Sequence, residues 1–179
     1  MRRTLSLGSI IIIFSFALLM SVGLVANGHV RNNRNYISVE EAYYANNQDS
    51  EIRLILQGYK CDLVIGEKAD GTYLYEYILK NEIGWTVNQK IDAERIVSEF
   101  DGNIAVTVYR YLDDYFITVF NAKGGLFEIT DSIETKFSFL SQLKEYDQKE
   151  YYLACAHLEE YSKQYWLEVD GEKRQFSNE

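Results

Sequence analysis

Cys155-Ala156-His157 is the arrangement in this chain with the most direct chemical meaning. On a strand, residues two apart share a face, so a thiol and an imidazole would stand side by side. A nucleophilic cysteine needs such a base or cation close by to lower its pKa. The strand repeat, however, sets the two Cα atoms about 7 Å apart. No third member of a catalytic set is identifiable in the sequence. The pair therefore reads as an interior strand with an incidental histidine, and no residue is assigned a catalytic role.

Metal and phosphate chemistry find less support. His157 with Glu159 and Glu160 is a partial ligand set, and the other histidine, His29, stands in a distant polar stretch. Zinc sites need clustered ligands. Asp113-Asp114 lacks the alternating oxygen ligands of a calcium loop and reads as a solvated turn. Lys123-Gly124-Gly125 lacks the spacing and the following helix of a phosphate loop. No metal and no cofactor is expected.

Tyr73, Tyr75 and Tyr77 alternate along one predicted strand and line one face of it. An exposed row of this kind is the candidate ligand-binding surface, because tyrosine supplies contact area at low entropic cost. The same row can instead form half of a core, which is the favoured reading of the two. The opposite face, with Leu74, Glu76 and Ile78, is less polar than a solvent face should be.

Turn chemistry indicates the elements that must position these groups. Ser38-Val39-Glu40-Glu41 is a capping box, which predicts a short helix from Val39 to about Asn46 with Val39, Ala42 and Tyr43 on one face. From Ile52 onward the pattern is strands. Three Asp-Gly dipeptides mark hairpins. Asp70-Gly71 follows Leu63-Val64-Ile65 and precedes a strand from Tyr73 to Leu79. A two-residue loop at Asp101-Gly102 sets Phe100 opposite Asn103 and Val97 opposite Val106. At Asp170-Gly171 it sets Glu168 opposite Lys173 and Tyr165 opposite Phe176, both favourable cross-strand pairs. Further strands are expected at 104–111, 115–120 and 151–158, whereas Thr135 to Tyr146 fits helix and strand alike. The resulting expectation is a mainly β fold, an antiparallel sandwich or rolled sheet with one short N-terminal helix. An α+β roll is the alternative.

Thr4 to Asn27 carries no charge and follows Arg2 and Arg3. A bilayer core about 30 Å thick needs about 20 apolar residues in a helix, which Leu5 to Ala26 supplies. Residues 1–26 thus read as a signal peptide or an N-terminal transmembrane anchor. Arg2 and Arg3 favour an N-inside orientation, so the rest would lie outside the cytoplasm. Residues 27–37 read as a spacer, and 38–179 as a single extracytoplasmic domain. Such a domain is tethered to the cell membrane through residues 5–26, or secreted if the leader is cleaved.

The chain of 179 residues has a formal charge of −9. Beyond residue 26, 16 basic and 27 acidic side chains leave −11. An acidic surface repels phosphate backbones, so no nucleic-acid partner is expected, whereas a cationic partner is allowed. Cys61 and Cys155 are the two cysteines. Export permits a disulfide between them. Its loop of roughly 90 residues would be worth about 4–5 kcal/mol on the chain-entropy account. Two buried free thiols are the alternative.

The function these features imply is that of an exported or membrane-tethered, bacterial-type interaction domain, non-enzymatic, binding a protein or cell-envelope ligand. Two other readings are a cell-envelope hydrolase with a two-carboxylate site and a structural or regulatory subunit of a membrane complex.

Overall fold

The computed structural model describes residues 34–87, 93–144 and 149–176. The apolar leader at 1–26, its cleavage or retention, and most of the expected spacer lie outside these residues. Among the described residues, no helix is long and apolar enough to cross a membrane.

The body is mainly β, with one short helix and three antiparallel sheets. Helix α1 (Val39–Tyr44) is followed by β1 (Ser50–Gln57), β2 (Cys61–Lys68), β3 (Tyr73–Asn81) and β4 (Gly84–Val87), which form the first sheet in that order. The middle sheet has the order β5-β6-β7-β10-β9, from β5 (Glu94–Asp101), β6 (Ile104–Tyr111), β7 (Asp114–Asn121), β10 (Lys149–Leu158) and β9 (Ser138–Lys144). The third has the order β12-β11-β8, from β12 (Glu172–Gln175), β11 (Trp166–Val169) and β8 (Ile129–Asp131).

Three apolar clusters hold these pieces together. Val39, Ala42 and Tyr43 of α1 pack on Val64, Ile78 and Val87 of the first sheet. Leu63 and Ile65 from its other face meet Tyr111, Phe116 and Cys155 of the middle sheet. The reverse face of the middle sheet, with Val106, Ile117 and Ala156, packs on Leu167, Val169 and Phe176. The order is therefore helix, sheet, sheet, sheet. A strand covered on both faces reads as a continuous apolar run rather than an alternating one. That explains Leu63-Val64-Ile65 and Ile117-Thr118-Val119, which are buried throughout.

Helix α1 starts at the residue its capping box predicts, with the Ser38 half of the box formed and the Glu41 half reaching one residue further back, to Ile37. Ser38 Oγ accepts from Glu41 N–H at 3.2 Å, and Glu41 Oε2 accepts from Ile37 N–H at 3.1 Å. Ahead of the helix, Tyr36 is buried and its backbone bridges Trp85 of the first sheet. Within the ambiguous Thr135–Tyr146 stretch, Ser138–Lys144 forms strand β9, and residues 145–146 lie outside the described residues.

The hairpins vary in their agreement with expectation. At Asp170-Gly171 both φ values are positive, 51° and 81°, as a type I′ turn requires. Glu168 faces Lys173, and the Tyr165 and Phe176 rings stack at 6.2 Å. At Asp101-Gly102 the register is two residues off. Phe100 faces Ala105 and Val97 faces Val108, because Asp101 ends its strand and Gly102-Asn103 forms the loop. Only Gly102 of that loop has positive φ, the sign pattern of a II′ turn. A shift of two residues leaves each side chain on its expected face. At Asp70-Gly71 a longer loop separates Glu67 from its partner Tyr73, and Asp70 Oδ1 caps Thr72 N–H at 2.9 Å.

Candidate functional site

The turn joining β1 to β2, residues 58–60, is built on a buried carboxylate from elsewhere in the chain. Asp114 opens β7 and is fully buried. Its Oδ1 accepts from Tyr59 N–H at 2.7 Å, and its Oδ2 from Lys60 and Cys61 N–H at 2.6 and 2.9 Å. His157 Nε2 of the neighbouring strand β10 lies 2.8 Å from Oδ1. Gly58 permits this approach: a Cβ there would fall 2.5 Å from the Cys61 carbonyl oxygen and 2.8 Å from the Asp114 carboxyl.

Burial raises the Asp114 pKa, but the three backbone donors and His157 outweigh it and hold the carboxyl below its ordinary range. Asp114 is thus an anion at neutral pH and only accepts. His157 Nε2 must then carry the hydrogen, which leaves Nδ1 as its second polar atom. The imidazole is held between Tyr59 and Phe116, each with ring centroid 5.2 Å away.

Depression of a carboxyl pKa in the folded state has a definite sign. The stabilisation is complete above the unfolded value of about 3.9 and is lost as pH falls through the folded value. Denaturant titrations from pH 6 to pH 2 are therefore expected to show stability falling below about pH 4. Asp114→Asn, with no charge to lose, should flatten that part of the profile; an unchanged slope would count against this assignment.

His157 and Tyr59 border a cleft of about 830 Å³. One wall is the end of β1, at Ile55, Leu56 and Gln57, and the other is the loop from Ile133 to Lys136. That loop is also pinned by a buried aspartate. Asp131 Oδ1 accepts from Ile133 and Thr135 N–H at 3.2 and 2.9 Å, and Tyr165 Oη donates to its Oδ2 at 2.9 Å. Between those contacts Glu134 takes φ 56°, uncommon for a residue with a side chain. Glu159 and Glu160 complete the rim. The cleft thus lies between the turn anchored by Asp114 and the loop anchored by Asp131, with a rim of three glutamates against Lys136.

A second inward charge supports the same turn from below. Lys80 Nζ donates to the Gly58 carbonyl at 2.6 Å and stands 2.7 Å from Asp62 Oδ1. That contact is an ion pair without hydrogen-bond alignment, so Oδ1 has charge compensation but no directed donor. Asp62 Oδ2 accepts from Trp85 Nε1 at 2.8 Å.

The sequence-predicted residues fall in several places. Cys155 and His157 do share a face, but burial pushes the Cys155 thiol up to about 12, the reverse of activation. Cys61 is pushed up as well, first by burial and then by Asp114. Both are free, buried thiols in the cluster between the first and middle sheets. Among the described residues, His157 bonds no hydroxyl or thiol. Tyr73 and Tyr77 pack into that same cluster, and Tyr77 stacks on Tyr111 at 5.1 Å. Tyr75 remains 42% exposed. None of the three lines the cleft.

Two residues important to the site were missed by sequence reasoning. Asp113-Asp114 was expected to be a solvated turn; Asp113 is exposed, but Asp114 points inward. The available signal was alternation, since Asp114 and Phe116 share a face of β7 and Phe116 is core. Asp131 had no signal in its neighbourhood. Comparison with protein-family models, curated proteins and solved structures finds no match for this chain.

Proposed function

We propose that this is an extracytoplasmic binding domain, carried to the cell membrane by residues 5–26, that takes a basic, extended peptide segment of a protein partner into the cleft beside His157. The observation that carries this reading is where an unpaired sheet edge meets a cluster of carboxylates. Among the described residues, β1 has a neighbour on one side only. Its last residues line a cleft where Glu134, Glu159 and Glu160 oppose Lys136. An extended peptide adds to such an edge through main-chain hydrogen bonds, while side-chain pockets select its sequence. The acidic rim favours lysine or arginine at the matching positions and repels acidic segments. Export is supported by the uncharged leader behind Arg2 and Arg3.

Fluorescence polarisation with an alternating lysine–valine hexapeptide tests the binding half. The Glu159→Gln, Glu160→Gln variant should bind about tenfold more weakly, and added salt should weaken the wild type. A glutamate–valine hexapeptide that binds equally well would refute the proposal. Protease added to intact cells tests the export half: the domain should be cut from outside, and protection would place it in the cytoplasm.

A cell-envelope hydrolase is the second reading, favoured by the same three glutamates standing near an Asp-oriented imidazole. It would be indicated by turnover of an envelope substrate that His157→Ala abolishes.

A further inference from the structure

We propose that a separate cleft, at the β5–β6–β7 end of the middle sheet, binds a single carboxylate-bearing sugar unit. This cleft of about 480 Å³ is lined by Arg95, Arg110, Lys163, Tyr115, Tyr161 and Glu94, with Ile96 and Ser162 completing it. Its size falls in the range of small-ligand sites, roughly 300–1,000 Å³.

The charge balance of this cleft departs from that of the rest of the body. The body carries −11, from 16 basic and 27 acidic side chains beyond residue 26. In the cleft of about 250 Å³ near β12, Lys123 and Arg174 meet Asp101, Asp170 and Glu172. In that of about 520 Å³ near β1, Arg53 and Lys68 meet Asp49, Glu51 and Glu67. Here the sign reverses, with Arg95, Arg110 and Lys163 against Glu94. Glu94 is already engaged by the Arg110 guanidinium. Among the described residues, neither Arg95 nor Lys163 has an ion-pair partner, so two cations face the opening unneutralised.

The cleft is assembled from three neighbouring strands and one connecting segment. Glu94, Arg110 and Tyr115 are successive partners across three strands. Arg110 is held by the Glu94 carboxylate of β5 and stands opposite Tyr115 on β7. The register shift between Arg95 and Val97 lets β5 turn Ile96 toward the core beside this end. Lys163 arrives on the segment between β10 and β11, which also brings Tyr161 against Tyr115, ring centroids 5.5 Å apart and planes tilted 30°. The site thus combines a positioned guanidinium, two free cations and a tyrosine pair.

The ligand class follows from that combination. The cations select an anionic group, carboxylate and phosphate alike, and titration with phosphate separates the two. Tyrosine rings offer an amphipathic flat face, suited to the C–H face of a sugar ring. A long polyanion is disfavoured, because the surface around the cleft is acidic and repels charge that extends beyond it. A single acidic sugar, or the end of a chain, satisfies all three constraints.

Titration calorimetry on the full-length protein, with D-glucuronate, D-glucose and inorganic phosphate as probes, tests the assignment. Glucuronate should bind saturably, and glucose and phosphate each on the order of tenfold more weakly. Arg95→Gln with Lys163→Gln should weaken glucuronate on the order of tenfold, and Tyr161→Leu should weaken it without creating a preference for phosphate. Arg95 and Lys163 are exposed, so a melting temperature close to wild type is expected in that variant. The proposal is overturned if wild-type protein does not bind glucuronate, if the double variant binds it undiminished, or if phosphate binds equally well.

Discussion

Asp114→Ala should cost this domain about 3–5 kcal/mol, the scale of breaking a buried charged network. The substitution strips the acceptor from three backbone N–H groups and from His157 at once. Each donor left buried without a partner carries its own desolvation penalty of about 1–3 kcal/mol. Relaxation of the 58–60 turn toward solvent recovers part of that, which is why the total stays below the simple sum. For a body of this size, 1 kcal/mol corresponds to roughly 2–4 °C, so the melting temperature should fall by roughly 6–20 °C. His157→Gln should cost much less alone, and its effect should nearly vanish in the Asp114→Ala background, as expected for coupled partners. An Asp114→Ala protein within about 1 kcal/mol of wild type would mean that the turn stands without its anchor.

Gly66→Ala is the second large effect. A Cβ at Gly66 would lie 1.8 Å from Tyr43 Oη and 2.7 Å from its Cζ. The Tyr43 ring cannot step aside cheaply. It is fully buried in the cluster beneath α1, and its hydroxyl is 2.7 Å from Ser50 Oγ. Overpacking of this kind costs about 1–3 kcal/mol, and the lost hydrogen bond adds about 1 kcal/mol. Urea denaturation should therefore show a loss of about 3 kcal/mol. The effect should couple to position 43. Tyr43→Leu removes the atoms that collide, so the double variant should be less damaged than the sum of the singles. Strict additivity would show that α1 adjusts freely over the sheet.

Local signals in the sequence account for the parts of the fold that are decided locally. Ser38 and Glu41 mark the start of α1 because both halves of a capping box lie within one turn. The β11–β12 register is legible because the turn and two cross-strand pairs all specify it. At Asp101-Gly102 only the dipeptide spoke, with no charge or aromatic pair to arbitrate, and the loop falls one residue later than read. Division into three sheets was not legible. It depends on which runs are covered twice, and a buried run such as Leu63-Val64-Ile65 does not state what covers it.

The cleft was hidden for a related reason. Its walls come from β1, from residues 133–136 and from the end of β10, which meet only in the folded chain. His157 was visible as a residue type, but its partner stands 43 positions away. Asp114 was read with its exposed neighbour as a solvated pair, although its alternation with Phe116 carried the contrary signal. The tyrosine row was legible as a single face, and two of its members went to the core, as amphipathic side chains on a doubly covered sheet are free to do.

The central claim is that the cleft beside the Asp114–His157 pair is where this protein meets its partner. The chain has two histidines, so the imidazole resonances of His157 can be assigned against a His29→Gln variant. Titration of the lysine–valine hexapeptide into the full-length protein, followed by those resonances, tests the claim directly. The account predicts saturable shifts of the His157 signals, diminished by Glu159→Gln and Glu160→Gln. Peptide binding that leaves the His157 signals unmoved, or no binding at all, would contradict it.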